Sequence, residues 1–255
     1  MSDGEEKLPQ IPAEVMQLEP RGYYLAAAFH PAIPLSRKKG FEFAAALSEY
    51  IEPSNAELGE EKWRFSQPMP GSTRSTFSVT ISQAVVQIAA EFPTHRTEWF
   101  EDRQRLILKQ FGEVFQPEMI LNSAAMVRGT LAIGGDARDF LWTHLMNLSP
   151  GRAAPLARPI HIVGLRLAFP PYHRKTPEGV ELQEWALDVK VESLGEDPTK
   201  VYLEADAKWM KPRKWDAEAV GEVVNHLDVV LEYLRKNVLV FLKGQDTGGH
   251  GEDNE

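Results

Sequence analysis

Three residues at the end of a predicted strand have side chains that could act together on an anion. His173, Arg174 and Lys175 follow Pro170 and Pro171, and they offer one imidazole and two cations. An imidazole exchanges a proton near neutral pH, while arginine and lysine bind carboxylates and phosphates. Catalytic groups concentrate in loops at strand ends, so this triplet is a candidate catalytic and anion-binding site. The competing interpretation is a turn with exposed charges.

The other histidines add two catalytic candidates and no metal site. His30 ends the first predicted strand, and His161 lies at the start of a later one. No two of the seven histidines are two or four residues apart, the spacings that would arrange metal ligands on a strand or a helix. We therefore predict no metal ion. Since His161 lies beside an apolar face, a buried structural histidine is the competing interpretation there.

The densest mixture of cations and aromatic rings is the segment 208–215, which reads Lys-Trp-Met-Lys-Pro-Arg-Lys-Trp. Lys211, Arg213 and Lys214 could follow phosphates while Trp215 stacks on a base, as binding of a single-stranded nucleic acid requires. The alternative is structural, with the two tryptophans continuing a strand and bracing the start of the next helix. We favour the structural interpretation.

The composition excludes several classes of function. Lys and Arg number 28 against 37 Asp and Glu, and the net charge of −9 disfavours broad binding to nucleic acid or to an anionic membrane. There is no cysteine, which removes disulfides and thiolate chemistry. The motifs of phosphate-binding loops, dinucleotide-binding folds, zinc proteases and α/β-hydrolases are absent. Without a signal peptide or a long apolar run, we expect a soluble, cytoplasmic protein without a cofactor.

Period-two and helical patterns alternate through the first part of the chain. The spacing predicts a strand over 22–29, a helix over 36–51, a hairpin over 77–92 and a helix ending near Gln116 that Thr94 or Thr97 caps. A strand over 119–133 and a shorter helix capped by Asp136 follow. The polar, proline-rich stretch between Glu52 and Arg74 is predicted to be a long loop.

The last third of the chain predicts a ββα unit. Alternation over 185–191 and 201–209 indicates an antiparallel pair with one apolar face, while residues such as Asp188 and Glu204 face water. A helix over 216–242 follows. Its apolar residues recur every three or four positions and form a continuous seam: Val220, Val224, Leu227, Leu231, Leu234, Val238 and Phe241. The seam could cover this sheet or pair with a second copy of the chain, and we favour the former.

These elements predict an α+β protein with a mixed or mostly antiparallel sheet, helices largely on one face and a long closing C-terminal helix. Residues 1–18 and 244–255 are predicted to be disordered acidic tails. Between them we expect an N-terminal α+β unit over 19–148, a linker over 149–159 and a C-terminal unit over 160–243 packed on the first. A faint echo between Leu25-Ala-Ala-Ala-Phe-His-Pro and Leu167-Ala-Phe-Pro-Pro raises duplication as an alternative that we do not favour.

For function we expect a non-enzymatic interaction or regulatory subunit of a larger soluble assembly, of bacterial type, whose partner is another protein. One alternative is an enzyme or a small-ligand-binding protein with a pocket between sheet and helices, using His30, His161, His173 or Arg174. Another is local binding of nucleic acid through residues 208–215. A homo-oligomer formed through the C-terminal helix is a further alternative.

Overall fold

The computed structural model describes residues 17–52, 55–70, 73–171, 173–175, 181–183 and 185–244. The strands are β1 (Glu19–His30), β2 (Ala56–Leu58), β3 (Lys62–Pro68), β4 (Thr76–Ser82), β5 (Val85–Glu91), β6 (Met119–Ala132), β7 (Gly164–Phe169), β8 (His173–Lys175), β9 (Glu181–Gln183), β10 (Ala186–Ser193), β11 (Lys200–Trp209) and β12 (Arg213–Lys214). The α-helices are α1 (Arg37–Ala46), α2 (Thr97–Phe115), α3 (Ala137–Asp139), α4 (Ala217–Tyr233) and α5 (Leu239–Lys243). The segments Phe140–Leu145 and Leu234–Val238 are π-helical, and Pro150–Leu156 is a 3₁₀-helix. The predicted tails lie almost wholly outside the described residues.

Ten strands form one sheet in the order β2-β3-β4-β5-β1-β6-β11-β10-β7, with β12 pairing the end of β6. Every pairing in this sheet is antiparallel. Strands β8 and β9 pair with each other in a separate two-stranded sheet. The predicted α+β class is therefore confirmed, and the sheet is antiparallel throughout.

The predicted β10–β11 hairpin is confirmed by its register. Val189 lies opposite Ala205 and Val191 opposite Leu203, and all four side chains are buried. Residues between them in sequence face the other side of the sheet, as period-two alternation requires. Burial of one face therefore fixes the register of both strands.

Helices α1, α2 and α4 pack on one face of the sheet and share a single apolar core. The apolar face of α2 packs into this core, where Phe100, Ile107 and Phe111 are buried. Phe111 packs at 4.9 Å from Phe29 of β1, measured between ring centroids. The opposite face of the sheet carries none of the described helices.

The predicted side-chain cap is confirmed at α3 and is wrong at α2. Asp136 accepts hydrogen bonds from the backbone of α3, and Asp216 accepts one from the backbone of Ala219. At α2 the predicted threonine caps are wrong, since the N-cap is Arg96 and its side chain makes no capping hydrogen bond. Thr94 instead donates its hydroxyl to the carbonyl of Pro70, 3.0 Å away.

The C-terminal helix covers its own sheet. Six of the seven seam residues are buried, and the exception is Phe241, which is 48% exposed. The π-helical turn at Leu234–Val238 explains the exception, because it inserts an extra residue and rotates everything after it. Leu242, 3% exposed, takes the buried position in place of Phe241.

The prediction of a long loop between Glu52 and Arg74 is wrong. It contains β2 and β3, and Trp63 and Phe65 of β3 are each 1% exposed. Only two large apolar residues mark this strand and a proline ends it, so its alternation is too short to stand out from the polar residues around it. Packing against β4 supplies what local pattern lacks.

Three other elements are shorter than predicted. Helix α1 stops at Ala46, although Leu47 and Ile51 beyond it are still buried. Strand β7 begins at Gly164 rather than at residue 160, and the shorter helix after Asp136 becomes π-helical at Phe140. The segment 149–159 contains the 3₁₀-helix and leads from the π-helical segment toward β7 of the ten-stranded sheet.

The two parts of the chain repeat one topology. In residues 19–115 a first strand is followed by a helix and by β3, β4 and β5, which return to it in the order β1-β5-β4-β3. In residues 119–243 the order is β6-β11-β10-β7, with α3 and α4 in the places of α1 and α2. The echo around Leu25 and Leu167 falls in β1 and β7, which are not equivalent in this repeat.

Candidate functional site

The face of the sheet opposite the helices, hereafter the open face, is a solvent-facing surface built by regular structure. Register places Tyr24 and Arg128 on it, from the adjacent central strands β1 and β6. Glu204 of β11 lies directly opposite Arg128, and Lys190 of β10 lies opposite Glu204. Four neighbouring strands thus contribute side chains to one continuous polar patch.

Arg128 is the centre of a hydrogen-bonded network on the open face. Its Nε donates to Glu204 Oε2 at 2.7 Å, and its Nη1 donates to the Tyr24 hydroxyl at 3.1 Å. Tyr202 donates its hydroxyl to the same Glu204 oxygen at 2.7 Å. Tyr24 in turn donates to Glu91 Oε1 at 3.0 Å. We call these five residues the Arg128 network; each of them is held by at least one of the others.

Gly22 makes room for the flat placement of Tyr24. A Cβ atom built on Gly22 would lie 2.6 Å from Cε2 of the Tyr24 ring, closer than atoms can approach. The ring therefore lies over the glycine backbone, and Tyr24 is only 8% exposed although nothing described covers that face. The Arg128 guanidinium sits 4.8 Å from the centroid of the same ring, within range of a cation–π contact.

Burial keeps the two tyrosines of the network protonated. Desolvation raises the pKa of Tyr202, and its hydrogen bond to the Glu204 carboxylate raises the pKa further. Desolvation also raises the pKa of Tyr24. Both phenols therefore remain protonated hydrogen-bond donors over the physiological pH range. Neither forms the phenolate that would be needed to act as a base.

Ion pairs surround the network on the side of β11, β10 and β7. They join Arg166 with Asp188 at 3.0 Å, Lys190 with Glu192 at 2.8 Å and Lys208 with Asp206 at 3.2 Å. The carboxylates predicted to face water therefore do so, and Asp188 and Glu204 each hold a cation rather than each other. Such exposed pairs contribute little stability, but together they fix a pattern of charge on the surface.

Small and apolar side chains adjoin the network on its other side. Ala26 of β1 lies directly opposite Ala124 of β6, and Met126 lies opposite Tyr24. Ala28 continues the row toward the end of β1. We call Ala26, Ala28, Ala124 and Met126 the alanine strip. Its low relief would let a flat partner surface approach the sheet backbone closely.

The predicted histidine candidates do not come together. His30 pairs with Met119 at one end of β6. His161 is exposed near Gly195, whose turn leads into Lys200 beside the other end of β6. His173, Arg174 and Lys175 form β8, opposite Gln183, Leu182 and Glu181 of β9. The structure describes the backbone of these three residues and not their side chains.

The basic and aromatic segment is largely engaged within the protein. Trp215 packs 5.3 Å from Phe111 between ring centroids, and its indole lies against Gly112. Arg213 forms an ion pair with Glu222 of α4. Lys211 and Lys214 are exposed.

A buried pair of polar side chains lies on the helix side of the sheet. His226 Nδ1 of α4 is 3.1 Å from the Ser123 hydroxyl of β6, and both residues are buried. Desolvation, followed by the charge of Arg213, lowers the pKa of His226 to about 3. Sequence spacing places His226 beside the seam, but only the packing of α4 on β6 shows that serine is its partner.

Neither a metal centre nor a membrane-spanning helix is found in the described part of the chain. No group of three or more histidine, aspartate or glutamate side chains there could hold a metal ion. Among the helices described, none combines the length and the apolar character needed to cross a membrane.

Comparison with known proteins leaves the chain without an assigned family. No protein-family model matches it, and no curated protein matches it.

Proposed function

We propose that this protein is a non-enzymatic interaction subunit of a larger assembly, and that it binds a partner protein through the open face of its sheet. The observation that carries the proposal is the Arg128 network. It immobilises an arginine and two tyrosines at the middle of a broad exposed surface, where a solvated sheet face would need only mobile charges.

The composition at the centre of the open face favours protein binding. Tyrosine, arginine and methionine are enriched in protein interfaces, and Tyr24, Tyr202, Arg128 and Met126 are grouped there. Their hydrogen bonds are formed before any partner arrives. A partner that contacts them would therefore lose little side-chain entropy on binding.

The shape and charge of the surroundings fit the same function. The alanine strip provides a flat apolar area, and the ion pairs of β11, β10 and β7 provide a fixed polar rim on one side of it. An apolar centre with a polar rim is the usual anatomy of a protein interface. The nucleic-acid alternative has less support, because the tryptophan and arginine that it needs at 215 and 213 are engaged internally.

A charge placed on the alanine strip tests the proposal. Ala124→Arg adds a long cation beside the network, and Ala45→Arg adds the same side chain at an exposed position of α1. Tagged wild-type protein and both variants would be expressed in the native host, and co-purifying proteins quantified by mass spectrometry. We expect one protein to be retained by wild type and by Ala45→Arg and lost by Ala124→Arg, and binding of the purified pair to behave in the same way. Equal retention by Ala124→Arg would overturn the proposal.

A further inference from the structure

A groove of about 460 Å³ separates the π-helical segment Phe140–Leu145 from the 3₁₀-helix Pro150–Leu156. It lies apart from the open face, and its volume is within the range of small-molecule sites, roughly 300–1,000 Å³. Trp142 lines it from the first segment and Ala154 from the second, and Ile160 and Val163, which precede β7, also line it.

Two features of the backbone around the groove are uncommon. π-Helical turns are rare and occur frequently at functional sites. Ala157, which also lines the groove, has φ of +53°, a left-handed conformation that costs energy for any residue with a Cβ atom. Strain of this kind persists where the surrounding structure needs a particular shape, and here it borders the groove on the side of Arg158.

The polar side chains of the groove suit one negative charge. Arg158 is exposed and takes part in no ion pair or hydrogen bond among the described residues. Arg138 also lines the groove, and Asp136 holds its guanidinium at 2.6 Å. Asp139 lines it too and would repel a polyanion such as a nucleotide triphosphate. With Arg138 neutralised by Asp136, the charges of Arg158 and Asp139 balance, so the groove suits a single carboxylate paired with Arg158 rather than a polyanion.

The apolar walls suit a flat body attached to that anion. The indole N–H of Trp142 donates to the carbonyl of Ser149 at 3.1 Å, which fixes the orientation of the ring. A fixed indole offers a stacking surface at little cost in entropy. Alanines 153, 154 and 157 leave space where larger side chains would fill the groove.

We propose that this groove binds a small aromatic monocarboxylate, with its carboxylate at Arg158 and its ring against Trp142. This goes beyond the interaction function proposed for the open face and does not depend on it. Arginine binds a carboxylate through paired, charge-assisted hydrogen bonds, which give both affinity and orientation.

Titration calorimetry of the full chain with 1-naphthoate tests the proposal, with the neutral 1-naphthalenemethanol as the matched ligand. We expect saturable binding of the acid with a dissociation constant below about 1 mM. The alcohol should bind at least about tenfold more weakly. The indole N–H resonance of Trp142 should shift as the acid is added.

Three variants locate the site. Arg158→Gln should weaken binding of the acid about tenfold, and Ala154→Trp should abolish it by filling the groove. Ala45→Trp on α1 is the matched control and should bind as wild type does. Absence of saturable binding to wild type, equal binding of acid and alcohol, or unchanged binding by both groove variants would each overturn the proposal. Ala124→Arg should leave naphthoate binding unchanged, which separates this result from that of the partner experiment.

Discussion

The imidazole of His226 stacks on the indole of Trp209, with ring centroids 3.6 Å apart and planes inclined by 1°. Helix α4 and strand β11 are thereby joined by two flat rings, while the hydroxyl of Ser123 faces His226 from β6. A ring stacked and buried in this way has no water to stabilise a positive charge. The neutral imidazole is therefore the form that the folded protein holds.

Stability should consequently decrease as the pH falls through the range in which His226 titrates. The folded pKa is about 3, below the ordinary value of 6.5, so the unfolded chain binds this proton first. From pH 6.5 down to about 3 the contribution of His226 to the free energy of unfolding should decline by up to about 1.4 kcal/mol per pH unit. Urea unfolding between pH 7 and pH 4 measures the decline.

The variant His226→Gln isolates this effect from other titrating groups. Glutamine can still meet the Ser123 hydroxyl but takes no proton, so the variant should lose less stability than wild type on acidification. Parallel curves for the two proteins would show that His226 does not control the pH dependence.

Glu101 of α2 and Asp228 of α4 predict a dependence of the opposite sign. Burial, together with the hydrogen bond and charge of Asp228, raises the pKa of Glu101 to about 7. Since the folded value is above the ordinary 4.5, the stability contributed by this group is present below pH 4.5 and is lost as the pH rises to 7.

Glu101→Gln should therefore be more stable than wild type at pH 8 and equal to it at pH 4. The expected gain is about 1 kcal/mol, because Glu101 is partly exposed and solvent screens its interaction with Asp228. Thermal unfolding at both pH values measures it, with Glu113→Gln at an exposed position of the same helix as control. A gain that is the same at pH 4 and pH 8 would exclude the carboxyl pair as its cause.

Gly22 and Tyr24 should be energetically coupled. Gly22→Ala places a methyl group where the Tyr24 ring lies, so the ring must move and its hydroxyl loses Glu91 and Arg128. We expect a loss of about 1–2 kcal/mol in the free energy of unfolding. In a Tyr24→Ala background the same substitution should be neutral or stabilising, because alanine restricts the unfolded chain more than glycine does. Additive effects in this double-mutant cycle would contradict the coupling.

Prediction from sequence succeeded where one periodic signal runs unbroken. Val189, Val191 and Leu203 alternate with polar residues along β10 and β11, and the apolar face they form is buried as expected. Prediction failed at Trp63 and Phe65, because two apolar residues are too few to establish a period. Pairing with β4 stabilises this strand in the fold.

The candidate site depends on register that no local pattern contains. Alternation places Arg128 and Glu204 on solvent-facing sides of their strands, but their contact requires β6 and β11 to be neighbours although 76 residues separate the two. The position of Tyr24 on the open face is harder still to predict from sequence, because the residues that follow it form an apolar run. The gap at Gly22 is the one local sign that a large side chain lies flat beside it.

The last prediction concerns the phase of the C-terminal helix. Leu231 is 4% exposed and faces the core, so Leu231→Asp should unfold the protein by burying an unpaired carboxylate at a cost of several kcal/mol, roughly 3 or more. Phe241→Asp should be tolerated, because the π-helical turn moves this position to the surface. Circular dichroism and light scattering distinguish the outcomes. A folded Leu231→Asp protein with an altered oligomeric size would mean that the seam pairs two chains, and unfolding by Phe241→Asp would mean that the turn does not shift the helix.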